Sequence, residues 1–257
     1  MRVAVVGATG RIGRLTVEAL ERAGHETVGI SRTQGVDVYT GEGLVAALTG
    51  VDAVIDTSSS AATDHDEAVA FFSRSTINLL EAERQTGVQH HVLLTIVGLA
   101  RFYGNAHAAG KRAQERLVER GPVSWSIQPA TQFHDFAEMA TIWTERDGSA
   151  TVAPLLMQPV APADVADVLA ETATGQPHGR CPDLAGPELQ DLVDLARRTR
   201  AARGTPIRLI PTWSGIHGRD MAGDVLLPGP GARIAPTTFD DWLAGETMSR
   251  ALAPPGG

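Results

Sequence analysis

Short apolar runs alternate with amphipathic helical patterns along the first half of the chain. Residues 3–6 are uninterruptedly apolar, which is typical of a strand buried on both faces of a parallel sheet. Residues 12–23 then carry apolar positions at helical spacing, and Gly24 ends that helix. The same patterns predict strands at 3–6, 27–30, 36–39, 53–56, 91–95 and 125–128, and helices at 12–23, 44–48, 64–86 and 106–119.

This alternation predicts the fold class and a division of the chain. Parallel strands need crossover helices, so we expect an α/β fold with a Rossmann-type doubly wound parallel sheet. After residue 129 proline and glycine become frequent, although helices at 163–172 and 187–200 and a strand at 207–210 are still predicted. The composition marks no linker. We therefore expect a Rossmann core at 1–131 and a smaller C-terminal region at 132–257, which covers the substrate and is interleaved with the core rather than independent.

The composition excludes several classes of partner. The chain of 257 residues is 43% hydrophobic, enough for a sizeable buried core, and its formal net charge is -8. An acidic surface repels phosphate backbones, so no nucleic acid partner is expected. Cys181 is the only cysteine, the first residues do not resemble a signal peptide, and no apolar run approaches the ~20 residues of a membrane helix. The sequence therefore predicts a cytoplasmic protein with no membrane partner.

A glycine-rich turn follows the first predicted strand directly and opens the first helix. It reads Gly7-Ala8-Thr9-Gly10-Arg11-Ile12-Gly13. Gly7 allows the tight turn, Gly10 lets the backbone approach a pyrophosphate, and Gly13 permits close packing of the helix on the strand. The helix N-terminus offers N–H groups and the positive end of its dipole to the phosphates. This turn predicts a dinucleotide-binding site.

The end of the second predicted strand distinguishes between the two nicotinamide dinucleotides. NAD-binding proteins place a carboxylate there for the ribose 2′-hydroxyl, whereas the 2′-phosphate of NADP needs positive charge. Here the strand ends in Gly29-Ile30-Ser31-Arg32. Arg32 and Arg11 can pair with that phosphate and Ser31 can donate to it, unless the two arginines are ordinary surface residues. The sequence favours NADP(H) over NAD(H).

Five stretches of the sequence resemble the NmrA-like branch of the atypical short-chain dehydrogenase/reductase superfamily, a group of NAD(P)-binding proteins. They are Val-Val-Gly-Ala-Thr-Gly-Arg-Ile-Gly at 5–13, Gly-Val-Asp-Ala-Val-Ile-Asp at 50–56, Leu-Leu-Thr-Ile-Val-Gly at 93–98, Lys-Arg-Ala-Gln-Glu at 111–115, and Gln-Pro-Ala-Thr-Gln-Phe at 128–133. The glycine motif is specific to the superfamily, and the last two stretches are more specific to the branch. The resemblance covers nearly the whole chain.

The resemblance implies where a bound cofactor would lie. The loop at 57–59 would follow its ribose and pyrophosphate, the loop at 95–97 would lie beside the nicotinamide ribose, and the segment at 129–133 would flank the nicotinamide. The complete set that we predict to bind the cofactor is Gly7, Thr9, Gly10, Arg11, Ile12, Gly13, Ser31, Arg32, Asp37, Val38, Thr57, Ser58, Ser59, Thr95, Lys111, Pro129, Thr131 and Phe133.

The resemblance also implies the catalytic groups, and this chain departs from the family there. Lys111 corresponds to the lysine that holds the nicotinamide ribose, and Thr95 to the usual serine. A tyrosine is expected four residues before the lysine, where this chain has His107. His107 either replaces that tyrosine as proton donor or only lines a cavity, and Tyr103 is the alternative acid.

Two further groups of residues complete the candidate site. Phe133, His134 and Tyr103 are predicted to face the substrate, although His134 is equally well explained as a structural histidine beside Asp135. The pair at 90–91 has no matching carboxylate cluster, so no metal site is expected.

Two functions are compatible with these features. The first is an NADPH-dependent oxidoreductase that transfers a hydride to a small carbonyl, quinone or conjugated alkene. The second, favoured by the missing tyrosine, is an NmrA-like redox sensor or regulator that binds NADP without catalysis and has a protein partner. A sugar-nucleotide epimerase is weaker, because such enzymes generally keep the tyrosine. We favour the oxidoreductase, with a small-molecule substrate, as either a monomer or a homodimer.

Overall fold

A buried parallel sheet lies at the centre of the first of two structural units. The computed structural model describes residues 1–214 and 218–252, with side chains up to residue 248. The first unit comprises Met1–Ala130 and Pro162–Asp183, and the second comprises Thr131–Ala161 with the described residues from Leu184 onward. Residues 162–183 thus group with the N-terminal part of the chain. The predicted roles of a cofactor-binding core and a substrate cover stay predictions.

The helices and strands follow one another as the alternation predicts through the first half of the chain. The strands are β1 (Arg2–Val6), β2 (Glu26–Ile30), β3 (Ala53–Asp56), β4 (His90–Ile96), β5 (Trp125–Ala130), β6 (Ser149–Val152), β7 (Leu156–Met157), β8 (Gly179–Arg180), β9 (Leu184–Ala185), β10 (Gln190–Asp191), β11 (Arg208–Pro211) and β12 (Arg233–Ile234). The α-helices are α1 (Arg11–Arg22), α2 (Leu44–Leu48), α3 (His65–Thr86), α4 (Ala106–Glu119), α5 (Phe136–Thr144), α6 (Pro162–Thr174), α7 (Leu192–Ala202) and α8 (Phe239–Leu252).

The sheet of the first unit has the order β2-β1-β3-β4-β5-β8, with every pair parallel. On one face, Ala4 and Val6 of β1 pack with residues of α2 and α3. Side chains alternate across a strand, so Val3 and Val5 face the opposite side, where α1 and α6 pack together. An Arg22–Asp167 ion pair of 2.5 Å also joins these two helices. Helices on both faces of a parallel sheet confirm the predicted Rossmann-type α/β class.

The predicted strand at 36–39 is wrong, because this segment forms turns. The Asp37 carboxylate accepts a hydrogen bond from the Tyr39 N–H at 2.7 Å, and the Asp37 carbonyl accepts one from Gly41 at 2.8 Å. Such Asx turns satisfy backbone groups that a strand would pair with a neighbour. The amide of Asn78, on α3, then holds the carbonyls of Val38 and Tyr39 at 3.0 and 2.9 Å. The segment therefore packs apolar side chains into the core without joining the sheet.

The second unit is built from short strands and helices that the sequence pattern indicates only in part. Within it, β6 pairs with β11, β7 with β10, and β9 with β12. Helix α7 begins later than predicted because Asp191 lies in β10 and caps the helix, accepting from the Asp194 N–H at 3.0 Å. Ion pairs from Arg200 to Glu145 and from Arg203 to Glu138 join α7 to the α5 region. None of the described helices meets the length and hydropathy needed to span a membrane.

Candidate cofactor-binding site

The glycine turn between β1 and α1 is held by backbone hydrogen bonds and close packing. Gly7 has a φ of +77°, a region that favours glycine, and its N–H donates to the Ile30 carbonyl of β2 at 2.9 Å. The Gly10 N–H donates to the Gly7 carbonyl at 2.8 Å. At Gly13 an added Cβ would lie only 2.1 Å from the Gly7 oxygen. Only glycine at position 13 therefore lets α1 begin this close to the turn.

The N-terminus of α1 has the features of an anion site. Its N-cap residue is Gly10, so no side chain caps the helix, and its first turn contains no acidic residue. By contrast, α3, α4 and α7 are capped by the side chains of Asp64, Asn105 and Asp191. The first N–H groups of an α-helix need an acceptor from outside the helix. A phosphate group is such an acceptor, and Gly10 at the N-cap position has no side chain that would block its approach.

The end of β2, whose Ile30 carbonyl accepts from the Gly7 N–H, is followed by one cation and two hydroxyl groups. The Ser31 hydroxyl donates to the Gln34 side chain at 2.8 Å and lies 3.0 Å from the Thr33 hydroxyl oxygen. Arg32 begins a short 3-10 helix and is exposed, as is Arg11. No carboxylate occurs between residues 29 and 34. The end of β2 thus lacks the carboxylate that NAD-binding proteins use for the ribose 2′-hydroxyl.

The remaining residues that were predicted to contact the phosphates or adenine occupy different environments. Thr9 is exposed, whereas the Ile12 side chain is buried. Ile12 is in the first turn of α1, so only its backbone N–H is positioned to meet a phosphate. Asp37 is engaged in its own turn, and Val38 packs against the core of the unit. The Asp37 N–H and carbonyl and the Val38 carbonyl are also hydrogen-bonded within the protein, so both positions serve the fold of this segment.

The loop after β3 runs beside the glycine turn. The Thr57 hydroxyl donates to the Val6 carbonyl at 2.7 Å, and a Cβ added to Gly7 would lie 3.2 Å from the Thr57 oxygens. The Ser58 N–H donates to the Asp56 carboxylate at 2.8 Å, and Ser59 is exposed. This loop and the glycine turn therefore form two neighbouring walls at the carboxyl edge of the sheet, where open α/β sheets bind their ligands.

Lys111 lies in the interior of the first unit, with 5% of its surface exposed. Its Nζ donates to the backbone carbonyls of Ser58 at 3.2 Å and Leu94 at 3.0 Å, and to the Gln114 side-chain oxygen at 2.8 Å. Burial lowers the pKa of Lys111 to about 8, against the opposing effects of the Asp56 and then the Glu115 carboxylates. All three protons of the ammonium are thus donated to the protein.

His107 lies one helical turn before Lys111 and shares its neighbour Phe72. The rings of His107 and Phe72 pack edge to face with centroids 5.3 Å apart, and the Lys111 Nζ lies 5.0 Å from the Phe72 centroid. An added Cβ at Gly110 would lie 2.2 Å from the Phe72 ring, so glycine lets α4 approach α3. Burial, and then the charge of Lys111, lower the pKa of His107 to about 4. The imidazole is therefore neutral near pH 7.

The hydroxyl groups of Thr95 and Tyr103 are also engaged. Thr95 is 2% exposed and donates to the Glu115 carboxylate at 2.7 Å, and the other Glu115 oxygen pairs with Arg180 at 3.1 Å. Tyr103 is 69% exposed, and its hydroxyl donates to the Ala100 carbonyl at 2.9 Å. The structure thus brings Lys111 and His107 together, while Thr95 faces Glu115 and Tyr103 lies in the loop before α4.

Four candidate residues come from the segment at 129–134. Pro129 belongs to β5 in the first unit. In the second unit, Thr131 is buried and donates to the Gln158 carbonyl at 2.7 Å, and Phe133 forms an isolated bridge with Val160. His134 is 1% exposed and packs against the rings of Phe239 and Trp242, with centroids 5.4 and 5.5 Å away. This environment is typical of a structural histidine.

The two histidines of β4 each have a specific partner. His91 Nδ1 lies 2.8 Å from a Glu83 oxygen, and both side chains are fully buried. His90 Nε2 lies 2.8 Å from the Ser126 hydroxyl, and burial lowers the pKa of His90 to about 4. Glu83 was not predicted as a partner of His91 because it lies on α3, eight residues earlier in the chain. The described residues contain no group of three or more potential metal ligands.

The hydrogen-bond partners of Lys111 were not predicted either. Gln114 is completely buried and donates to the Asp56 carboxylate at 2.8 Å, while its oxygen accepts from Lys111. The spacing of Lys111, Gln114 and Glu115 along α4 was the available signal, because residues three and four apart share a face of a helix. The position of Asp56 at the end of β3 was the second.

A parallel sheet, a glycine turn without a capping side chain and a cationic end of β2 define a Rossmann-type NAD(P)-binding protein. The chain belongs to the NAD(P)H-binding family, whose model matches residues 7–176. This result confirms the predicted nucleotide cofactor at the level of NAD(P).

A named protein is similar to part of the chain in sequence. Photosystem II assembly factor Ycf39 of Synechocystis sp. is 31% identical over 116 residues, which are 40% of this chain and 36% of that protein. The chain thus matches little more than a third of the length of that relative.

Two solved structures are similar over nearly their whole length. MoeE5 in complex with UDP-glucuronic acid and NAD has a TM-score of 0.73 at 18% identity, covering 98% of this chain and 100% of that chain. An NADPH-dependent quinone oxidoreductase of Escherichia coli has a TM-score of 0.64 at 14% identity, covering 95% and 99%. At these identities the likeness shows the fold. Family and fold together confirm the predicted resemblance at the level of NAD(P)-binding proteins with a Rossmann-type fold.

Proposed function

We propose that the protein is an NADPH-dependent reductase of the atypical short-chain dehydrogenase/reductase type, which transfers a hydride to a small acceptor. The observation that carries the proposal is the glycine turn, where Gly13 lies against Gly7 and α1 begins without a capping side chain. Such a turn holds a pyrophosphate by backbone N–H groups. When bound there, NADPH supplies the hydride.

The preference for the phosphorylated dinucleotide rests on charge. In the proposal, Arg32 pairs with the 2′-phosphate, Ser31 donates to it, and Arg11 adds a second cation from the glycine turn. Arg32 and Arg11 are both exposed, and the end of β2 has no carboxylate that would repel the phosphate. The same lack of a carboxylate leaves the ribose 2′-hydroxyl of NADH without its usual acceptor.

The state of the candidate acids narrows the class of acceptor. Lys111 and Thr95 donate their protons to buried protein groups, and the low pKa of His107 makes its imidazole neutral. A simple aldehyde or ketone becomes a strongly basic alkoxide when it accepts a hydride, so it needs a positioned acid. A quinone becomes a phenolate-like anion, whose conjugate acid has a pKa of about 10, and takes its proton from water. Quinones and similarly stabilised acceptors are therefore the favoured substrates.

A second candidate function is favoured by the same commitment of protons. The protein would bind NADP as a redox sensor or regulator and use the bound cofactor to signal to a protein partner rather than for turnover. Lys111 and His107 would then serve only to hold the cofactor site. Among the four candidate catalytic residues, Tyr103 has the most exposed side chain, so its variant tests whether a reductase would take the proton from the protein or from water.

A screen with purified protein separates the two functions. NADPH is mixed with a quinone, an aldehyde or an enone, and its oxidation is followed by nicotinamide absorbance. We expect turnover with the quinone, and a Tyr103→Phe variant that retains it, because the proton comes from water. Tight NADPH binding without oxidation by any acceptor would refute the reductase and support the sensor. A Tyr103→Phe variant that loses turnover would instead identify Tyr103 as the acid.

A further inference from the structure

A single buried ammonium group joins the loop after β3 to the carboxyl end of β4 in the first unit. The paired residues of β3 and β4 end at Asp56 and Leu93, so the Ser58 and Leu94 carbonyls lie beyond the ladder. Both carbonyls accept from the Lys111 Nζ, at 3.2 and 3.0 Å. Buried carbonyl groups need hydrogen-bond donors. Lys111 thus continues the connection between the two strands past the point where their backbones separate.

Two further buried side chains hold the ammonium in place. The Gln114 amide accepts from Lys111 through its oxygen at 2.8 Å and donates to Asp56 Oδ2 at 2.8 Å. Asp56 Oδ1 accepts from the Ser58 N–H at 2.8 Å, so the carboxylate fixes the same loop a second time. Asp56 and Gln114 are 1% and 0% exposed. We call Lys111, Gln114 and Asp56 the lysine clip.

The interior of the first unit does not need a charged residue at position 111 in order to be well packed. The Lys111 Nζ lies 5.0 Å from the centroid of the Phe72 ring, and an unbranched apolar side chain of similar length would fit the same space. Burying a charged pair is often no more stabilising than an apolar replacement of similar size. What the ammonium provides, and an apolar side chain cannot, is a fixed distance between the loop at 57–59 and the end of β4. The family resemblance places these two segments along the ribose and nicotinamide of the cofactor, and the proposed function takes over that placement.

We infer that the lysine clip is a positioning unit, which sets the width of the nicotinamide half of the cofactor site without itself transferring a proton. This inference rests on the proposed function only in its assignment of the two loops. The adenosine half of the site is built from the glycine turn and the end of β2, and none of its residues contacts Lys111, Gln114 or Asp56 among the hydrogen bonds of the described residues. The two halves can therefore be perturbed separately.

The test compares two probes by calorimetric titration. Adenosine 2′,5′-bisphosphate carries only the adenosine end of the cofactor, whereas NADPH spans both halves. We expect Lys111→Met to weaken NADPH binding by about tenfold or more. A loss of this size corresponds to one or two charge-assisted hydrogen bonds to the cofactor that are no longer well aligned. Its affinity for adenosine 2′,5′-bisphosphate should stay within about twofold of the wild type, since the glycine turn is unchanged.

Two further variants make the test specific. Gln114→Met keeps Lys111 but removes its link to Asp56, and it should show the same selective loss; it also carries the test if Lys111→Met does not fold. Arg116→Met makes the same change of side chain as Lys111→Met at an exposed position of α4, and both probes should bind it as they bind the wild type. The fluorescence of bound NADPH reports the surroundings of the nicotinamide and should change in the two clip variants alone.

Each outcome decides a different point. Equal losses for the two probes, or unchanged NADPH affinity in both clip variants, would overturn the positioning role and leave only a role in stability. A wild-type protein that binds neither probe would overturn the proposed function and the inference together. If the wild type binds both probes and the clip variants lose NADPH alone, the inference stands whether or not any acceptor is reduced.

Discussion

Replacing Gly13 by alanine is the sharpest test of the glycine turn. The new Cβ would lie 2.1 Å from the Gly7 oxygen and 2.6 Å from the Gly7 carbonyl carbon. Non-bonded carbons pack at about 3.5–4.0 Å, so α1 or the turn must move by about an ångström or more. Overpacking of this kind costs about 1–3 kcal/mol, and the gain from alanine in a helix returns at most about 1 kcal/mol. We therefore expect a net loss of stability and a displaced helix N-terminus.

The loss of cofactor affinity should exceed the loss of stability. Charge-assisted hydrogen bonds contribute about 1.5–3 kcal/mol each, so moving the first N–H groups of α1 away from a pyrophosphate should weaken NADPH binding at least about tenfold. Urea unfolding gives the stability and calorimetric titration gives the dissociation constant.

Gly245→Ala is the matched control for this variant, because Gly245 lies in α8 and an added Cβ there meets nothing within 4 Å. Its stability should rise slightly and its NADPH affinity should not change. A Gly13→Ala protein that behaves like Gly245→Ala would refute the close approach of α1 to the turn.

Three other predictions follow from the charges of the first unit. Arg32→Ala should weaken NADPH by about tenfold or more and NADH by less than about twofold, measured by titration against Arg116→Ala, because only NADPH carries the 2′-phosphate. Below pH 6.5 His107 is protonated in the unfolded chain but not in the folded chain, where its pKa is about 4. Protonation of the unfolded state therefore lowers the free energy of unfolding as the pH falls from 6.5 towards 4, and in His107→Phe this part of the decrease should be absent from unfolding curves. Glu83→Ala leaves His91 buried without its partner and should cost about 3–5 kcal/mol in urea unfolding, whereas the apolar pair Glu83→Met with His91→Leu should cost much less; equal costs would contradict the assignment of a specific buried pair.

The elements of the first unit could be predicted from sequence because each has a local signal. The helix at 106–119 begins and ends where the pattern places it, since Asn105 caps it and accepts from the Ala108 N–H at 2.9 Å. The prediction of a strand at 36–39 was wrong because Val36 and Val38 alternate with Asp37 as the residues of a half-buried strand do. The Asp37 carboxylate instead accepts from the Tyr39 N–H and closes a turn. The second unit was less predictable because its strands of two to four residues are too short to show a period.

The candidate site shows the same limit in its chemistry. The sequence identified Lys111, Thr95 and His107 as residues at the right positions of the right elements, but it could not show their partners. Glu115 accepts from the Thr95 hydroxyl, Gln114 accepts from Lys111, and Asp56 accepts from Gln114. The contacts of Thr95 with Glu115 and of Gln114 with Asp56 join residues 20 and 58 positions apart, and no local pattern encodes them.

The sequence by itself determined the glycine turn that we propose for the cofactor, because every part of this turn is local. The strand, the glycines and the start of the helix follow one another within the first thirteen residues, and their conformations depend on φ angles and the absence of a Cβ. Only the tertiary structure decided what Lys111 does. Its ammonium donates to the loop after β3, to β4 and to α4. Whether a lysine faces a ligand or joins such segments depends on which buried groups the fold leaves without another hydrogen-bond donor.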